Sequence, residues 1–424
     1  MTSPTTMNYT AYTDFSAGIP QWWADKVLMD ADTREFWSKF EGAENSDSVI
    51  IRRDGRLNKS GSRETFTTMS QLFGAGVTGE TELRGAEEKY DVDDFYLSVE
   101  WLRQAISFTQ KAQKRSLVDL AGMAQPMLSK WLARRKDSDL DYQLITTDSP
   151  TVIYAGDGTS DATIDSNCVC SYAYLERGYL ELESMGAEPY ETTMNNGEKF
   201  PVYGVCITEY DAYWLRQDPY WIKFQCEAAV REQKNAVFTN AIGMIGGMIV
   251  YVRRGIKGKP VSRLRPEAKV YSTFAIGGAT LTVGANNRKD YTQMFPSSGT
   301  LSITGTTGTT EFVSYSGKTA YTFTGCGRGA TVGTVASSAA EHAANELVTL
   351  GKHQASQIFF GKQIAYRCFA TPFSPIKQDD DYGFIKGIGV AGEFGQKAVM
   401  NSDDANANYI VGMTNSLPPT ATAY

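Results

Sequence analysis

The side chains that most often do chemistry are few and scattered in this sequence. There are two histidines, His342 and His353, and neither stands beside a serine or cysteine in a nucleophile motif. Among the six cysteines, Cys168, Cys170, Cys206, Cys226, Cys326 and Cys368, only Cys168 and Cys170 are close together. Alternation along a strand would turn those two to opposite faces. No second close pair and no histidine partner completes a zinc pattern, so the thiols read as reduced, buried groups of a cytosolic product. Asp379-Asp380-Asp381 has the charge for a metal, but Pro375 upstream and Gly383 downstream mark a solvated loop. Gly156-Asp157-Gly158-Thr159 and Gly325-Cys326-Gly327-Arg328-Gly329 fit neither the Walker nor the dinucleotide pattern and read as turns. No catalytic constellation, cofactor site or metal site emerges, and the chain reads as a non-enzyme.

The polar groups that remain suit binding better than reaction. Glu87-Glu88 and Asp93-Asp94 stand opposite a basic stretch that includes Arg52, Arg53 and Arg63. Such blocks serve solvation or pair across subunits. Trp22, Trp23 and Trp37 lie among Asp25, Asp30, Asp32 and Glu35, on a segment with little power to order itself. Apolar anchors on such an arm imply docking, onto the body of the chain or onto a neighbour. Lys111, Lys114 and Arg115 could touch nucleic acid. A formal charge of -7 nevertheless argues against a protein whose main task is gripping it. Residues 1 to 20 have neither a basic start nor an apolar core, so no signal peptide is expected. The longest apolar run, Ala241 to Val252, holds three glycines and is too short to cross a bilayer, so no membrane partner is expected.

The elements that position these residues can be read in order along 424 residues, a length for two or three domains. Trp22 to Phe40 has the pattern of a short amphipathic helix. Val49 to Asp54 is a strand ending at the Gly55 turn. From Lys59 to Arg84 the chain is polar, with Gly61, Gly74, Gly76, Gly79 and Gly85; Thr65–Met69 alternates weakly and Asp91–Trp101 better. This is a two-stranded excursion that is marginal without a partner surface. A long helix follows from Ser107 to Lys136, with apolar positions at Leu120, Ala121, Ala124, Met127, Leu128, Trp131 and Leu132. Ser107-Phe108-Thr109-Gln110 has the form of a capping box, and Arg134, Arg135 and Lys136 suit the negative end of the dipole. About thirty residues make a rod of roughly 45 Å, and Pro126 removes the bond to Gly122, so a bend is expected there.

An α/β region spans residues 150 to 257: strand Thr151–Tyr154, helix Ser171–Met185 closed by Gly186, strand Tyr203–Thr208, an aromatic helix from Glu209 to about Val230, and a third strand from Ile242 to Arg253. From Lys259 to Lys352 Gly, Thr and Ser dominate. Short alternating runs at 280–283, 300–303, 311–315, 321–323 and 346–350 describe a small all-β module. The chain then returns to α/β-like sequence at Gln357–Lys362 and Gly387–Gly392, so the module reads as an insertion into a discontinuous larger domain.

The order of these parts resembles a known family. Gly74-Ala75-Gly76-Val77-Thr78-Gly79-Glu80-Thr81-Glu82-Leu83-Arg84-Gly85-Ala86-Glu87-Glu88-Lys89 precedes the strand Leu102–Ile106 and a helix ending in Trp131-Leu132. Asp381-Tyr382-Gly383 and Gly395-Gln396-Lys397-Ala398-Val399-Met400-Asn401 follow. This resembles the schitovirus type of tailed-phage major capsid protein, over about residues 1–257 and 353–424. The resemblance implies an α+β Hong Kong 97-type capsid fold. Its parts would be an N-terminal arm (1–54), an extended loop (55–104), a spine helix and peripheral domain (105–149), and a first axial part (150–258). An inserted β domain (259–352) and a return of axial and peripheral domains (353–424) would complete it. The insert is similar to a β module recurring in phage structural proteins, at Phe295–Leu301, Tyr321–Gly329 and Ala340–Ala344.

The resemblance implies self-assembly into hexamers and pentamers of an icosahedral head, made in the bacterial cytoplasm and carried in the virion. The partners would be a portal, scaffold or decoration proteins, and packaged double-stranded DNA bound without sequence preference. Trp22, Trp23, Trp37, Arg52, Arg53, Arg63, Glu87, Glu88, Asp93 and Asp94 are then the expected inter-subunit contacts, with Gly122 and Pro126 as the spine bend. A near-neutral to acidic lining would let DNA slide. For a lysine–asparagine crosslink, Lys59 is in the right region but no acceptor stands out. The competing reading is a tail-tube or adhesin protein whose β module binds glycan.

Overall fold

A computed structural model of the chain describes residues 35–43, 46–54, 63–69, 74, 76–80, 82–85, 87, 92–115, 120–146, 151–159, 163–164, 167–193, 199–223, 241–253, 267–284, 292, 295, 297–305, 310–332, 335–351, 354–380, 384–399 and 408–415. A single 3-10 turn, Trp37–Phe40, leads into β1 (Glu41–Gly42) and β2 (Ile50–Asp54). Next come β3 (Arg63–Met69), β4 (Val92–Ser98) and β5 (Glu100–Thr109), then a short helix Gln110–Arg115 and the long helix Leu120–Thr146. The α/β part contains β6 (Val152–Tyr154), helix Tyr172–Ser184, β7 (Tyr190–Thr193), β8 (Lys199–Thr208), helix Glu209–Gln217, β9 (Ala241–Ile245) and β10 (Met248–Arg253). Nine short strands follow: β11 (Glu267–Lys269), β12 (Thr280–Thr282), β13 (Gly299–Thr304), β14 (Thr310–Tyr315), β15 (Gly317–Lys318), β16 (Thr322–Thr324), β17 (Thr331–Val332), β18 (Val335–Ala336) and β19 (Leu347–Leu350). The chain closes with β20 (Gln354–Phe360), β21 (Ala365–Asp380), β22 (Ile385–Ala398) and β23 (Tyr409–Asn415).

Two mixed sheets form the body. One has the order β1-β2-β21-β22-β5, and the other runs β6-β23-β20-β8-β10-β9 with β7 on β8. The long helix joins them. Leu128, Leu132 and Ala133 pack on the first sheet against Phe369, Phe373, Ile388, Val390 and Phe394. Leu140 and Leu144, two turns further on, pack against Ile358, Phe360 and Val411 of the second. Ala124, Leu128, Leu132, Leu140 and Leu144 recur in multiples of four; each step of four drifts about 40°, so the buried stripe winds round the helix from the first sheet to the second. Helices Tyr172–Ser184 and Glu209–Gln217 cover the second sheet through Leu175, Leu182 and Leu215. Ser171 and Thr208 cap their starts, Thr208 with Asp211 in a reciprocal capping box.

β11 to β19 build sheets of their own around Val270, Leu281, Phe295, Leu301, Val313, Phe323 and Val348. They lie in sequence between β10 and β20, which both flank β8. β10 runs parallel to β8 and β20 antiparallel, so the chain leaves and re-enters the body at one end of one sheet. Two strand spacings, about 10 Å, separate exit from entry.

Several expectations from sequence are corrected. The helix does not begin at Ser107, because β5 continues to Thr109, paired with Ile385. The ladder satisfies the backbone that a capping box would have served, and Thr109 instead accepts from Ala112 N–H at 3.3 Å. Nor does it end at Lys136, since the basic triplet sits mid-helix and ten further residues follow. Met127 is 54% exposed and does not belong to the buried face. The stretch from Ile242 to Arg253 is a hairpin, because Gly246 and Gly247, at φ 49° and 103°, supply a turn that other residues resist. Asp379 and Asp380 end β21 and do not lie in a loop, and Cys168 and Cys170 lie outside any strand. The helix proposed from Trp22 lies mainly outside the described residues.

Gly178 faces Phe359 so closely that an added Cβ would stand 2.3 Å from the ring. Gly178→Ala is expected to cost about 1–3 kcal/mol through overpacking. Leu132→Ala, which opens a cavity between helix and sheet, should cost about 2–5 kcal/mol. Urea unfolding of both variants checks these values.

Candidate functional site: a buried charge cluster and the elements it anchors

Residues 35–42 lie in a notch between the long helix, β10 and β21. Trp37 is 0% exposed, in edge-on and tilted contact with Phe36, Phe40 and Phe360. Its indole N–H donates to Asp141 Oδ1 at 2.9 Å. The backbone N–H groups of Phe36 and Trp37 donate to the two carboxylate oxygens of Asp137 at 3.1 and 3.3 Å. Arg253 meets Asp141 at 2.9 Å and Asp137 at 3.3 Å, with its guanidinium over the Phe36 ring. Glu35 is held by Lys136 at 2.6 Å and by Arg367 at 2.5 Å. Arg367 also pairs with Glu41 and donates to Gln396, whose amide returns to the Lys136 carbonyl at 2.7 Å.

Charges removed from water must be matched by partners, and the titrations reflect this. Burial would raise the Glu35 carboxyl, but Arg367 and Lys136 outweigh it and hold it below its usual value. Burial pushes the Asp137 carboxyl up to about 7 against the pull of Arg253, with Glu35 and Asp141 adding to the rise. Burial opposes the charge of Arg253 and of Arg367, yet facing carboxylates hold both protons more firmly than usual.

The expected contact residues separate into groups. Trp37 is turned into its own subunit's core, where Leu140 and Phe360 bury it, which removes it from any surface. Arg53 is also committed internally, to Glu64 at 3.4 Å and to the face of Phe66 at 4.3 Å. Arg52 lies over Phe369 and reaches Glu41 at 3.6 Å. Phe66, Leu97 and Val99 pack with Cys368 and Ala370, so β21 supplies the surface that the base of the β3–β4 hairpin needs. Tyr96 sits between Arg63 at 4.8 Å and Lys397 at 4.9 Å. Farther out the hairpin leaves the core, with Leu83, Glu87 and Asp94 exposed. Across the ladder Asp93 and Asp94 stand opposite Thr68 and Thr67, so the acidic and basic blocks are not register partners. Glu87 accepts from Gly85 N–H at 2.7 Å. Gly122 is exposed and Pro126 half-buried, and the helix continues through both. Trp22, Trp23 and Glu88 lie outside the described residues.

A second network, which the sequence did not suggest, sits in the β11–β19 unit. Glu311 accepts from Arg328, His342 and the N–H groups of Gly329 and Ala340, while His342 also meets Glu346 at 2.6 Å. Arg328 lies over Phe274 at 3.9 Å. Gly325–Gly329 is therefore a turn that delivers an arginine into the core. Among the described residues no His, Cys, Asp or Glu group is placed to hold a metal, and no helix is long and apolar enough to cross a membrane.

The comparisons with known proteins fit this arrangement. Residues 11–156, a stretch that ends just after β6, match the phage capsid protein family. The major capsid protein of Pseudomonas phage KPP25 is 26% identical over 138 residues, 32% of this chain and 37% of that relative. The match thus spans little more than a third of the relative's length. The capsid of Ralstonia phage GP4 superposes with a TM-score of 0.58 at 16% identity, covering 98% of this chain and 96% of the other. The cyanophage Pam1 capsid gives 0.56 at 12% identity, with 98% and 96% covered. The head protein of Helicobacter pylori phage KHP40 gives 0.56 at 10%, with 90% and 92% covered. The fold is α+β and is that of phage capsid proteins.

Two outcomes follow from the geometry. Trp37→Ala should cost about 3–5 kcal/mol in unfolding free energy and expose residues 35–42 to protease. In the β11–β19 unit the carboxyl of Glu311 is held down to about 2; burial would raise it, but Arg328, two N–H donors and His342 prevail. A lowered carboxyl stabilises above its unfolded value and loses that contribution as pH falls toward 2. The unit should therefore weaken between about pH 4.5 and 2. Glu311→Gln should flatten that limb in acid melts followed by circular dichroism.

Proposed function

We propose that the chain is the major capsid protein of a tailed-phage head, assembling with copies of itself into a closed shell. The observation that carries this reading is the correspondence with solved phage capsid structures over nearly the whole chain, 98% for two of them. The arrangement suits a shell tile. Buried charge locks the long helix between the sheets of the body, while a hairpin reaches beyond the core. Contacts made through such extensions are weak singly and become stable when a symmetric particle closes.

Under this reading the long helix is the spine of a Hong Kong 97-type tile, residues 35–54 belong to an arm, and residues 55–104 form the extended loop. Arg63, Glu87, Glu88, Asp93 and Asp94 remain the hairpin residues proposed to meet neighbouring subunits, with Trp22 and Trp23 of the arm. The capsomers would be hexamers and pentamers, the shell would carry a portal and packaged DNA, and scaffold or decoration proteins would be further partners. Pro126 is the proposed point at which subunits in different lattice positions differ in curvature.

We assign the β11–β19 unit an outward position as a built-in cementing domain. Its own core and its single point of exit and return support this. Negative-stain microscopy of the purified protein tests the assembly reading, with closed shells expected. Rings, tubes or fibres would favour a tail protein instead. Replacing residues 262–352 by a short linker should leave assembly intact but make particles break at lower temperature. Loss of folding in that variant would contradict the insertion reading.

A further inference from the structure

Around Asp137 the structure gathers four carboxylates and three cations away from water. Glu35 and Glu41 come from the docked segment, and Asp137, Asp141 and Lys136 from the long helix. Arg253 comes from β10 and Arg367 from β21. Arg52 of β2 reaches Glu41 at 3.6 Å from the rim, with 36% of its side chain in solvent. The other titratable groups facing the cluster are the Cys206 thiol of β8 and the Tyr190–Tyr251 hydroxyl pair of β7 and β10. Burial pushes all three toward their neutral forms.

With every group ionised, the seven enclosed side chains would carry one surplus negative charge. A site that excludes water relieves such a surplus by keeping a proton. Glu35 faces two cations, and Asp141 has Arg253 at 2.9 Å together with the Trp37 indole. Asp137 has only the more distant nitrogen of the shared Arg253, at 3.3 Å. Its oxygens accept the Phe36 and Trp37 N–H groups; the Phe36 bond favours the charged form, but burial outweighs it, and lone pairs remain for a proton.

We infer that docking of residues 35–42 is coupled to uptake of one proton at Asp137, so that the segment is held more tightly in mild acid than at neutral pH. The docked carboxyl titrates at about 7, whereas a solvated aspartate does so near about 3.9. Between those limits the docked state binds more protons, so docking strengthens as pH falls from 7. Glu35 works in the other direction. Held low when docked, it withdraws its contribution only as pH falls below its ordinary value. Burial also raises the Glu41 carboxyl against the pull of Arg367, so Glu41 adds to proton uptake toward the acid end. Together the carboxyls place the tightest docking in mild acid, bounded below by Glu35 and above by Asp137.

Hydrogen exchange of the Phe36–Gly42 amides in the full chain tests this, at pH 7.5, 6.5 and 5.5 after correction for intrinsic rates. Protection should rise on acidification by up to about tenfold per pH unit below 7, the limit for one proton. Asp137→Asn keeps an acceptor oxygen but cannot titrate, and its protection should lose the pH dependence between 7.5 and 6.5, where Glu41 remains ionised. Unchanged or falling protection in the wild type would overturn the inference, as would a pH dependence between 7.5 and 6.5 that survives in Asp137→Asn. Should that variant fail to fold, a carboxyl carbon titration of aspartate-labelled wild type decides. A midpoint near 7 at Asp137 supports the coupling, and a midpoint near 4 overturns it.

Discussion

The body of this protein depends on one helix having to bury two different surfaces along its length. The first half of Leu120–Thr146 meets a sheet through aliphatic and aromatic side chains, which is ordinary packing. The second half passes between sheets, where Lys136, Asp137 and Asp141 are also enclosed. Charges in such a place are tolerable only when each is paired, and removing one partner leaves the others uncompensated at about 3–5 kcal/mol. Glu35, Arg253 and Arg367 complete the set from three separate parts of the chain. Docking of the segment around Trp37 thus completes the charge pairing of this half of the helix.

That constraint divides the molecule into a fixed part and a reaching part. The hairpin is tied at its base by Phe66, Leu97, Val99 and the Arg53–Glu64 pair, and beyond these it leaves the core. β5 forms one edge of its sheet, paired on one side with β22, and Trp101 on it is 58% exposed. A lone folded subunit of this kind has surface to offer and a rigid base to offer it from, which suits the construction of a shell. The β11–β19 unit is different in kind. Its hydrophobic core is a separate cluster, and it carries its own charge network around Glu311.

Much of this was legible in the sequence because it rests on local pattern. Alternation and turn residues located β2, β3, β4 and, between β10 and β20, the strands β12, β13, β14, β16 and β19. Ser171 with Gly186 bounded a helix that the structure places at Tyr172–Ser184. The failures share one cause, the outcome of pairing with distant segments. Arg134–Lys136 resembles a helix end unless it is known that Glu35 waits for Lys136. Trp37 resembles a free anchor unless Asp141, 104 residues away, is seen to accept its indole N–H. The acidic and basic blocks of the hairpin looked complementary until the ladder put Asp94 opposite Thr67. One clue was available. Lys136, Asp137, Leu140, Asp141 and Leu144 fall on one helical face, a mixture of charge and leucine that solvent alone does not explain.

The most direct measurement is a cryo-microscopy map of the assembled particle, resolved well enough to place aromatic side chains. The account predicts a closed shell in which Trp37 of every independent subunit lies in its own pocket beside Asp137 and Asp141, while the hairpin crosses onto a neighbour. A map in which Trp37 seats in an adjacent subunit, or in which no closed shell forms, would contradict it.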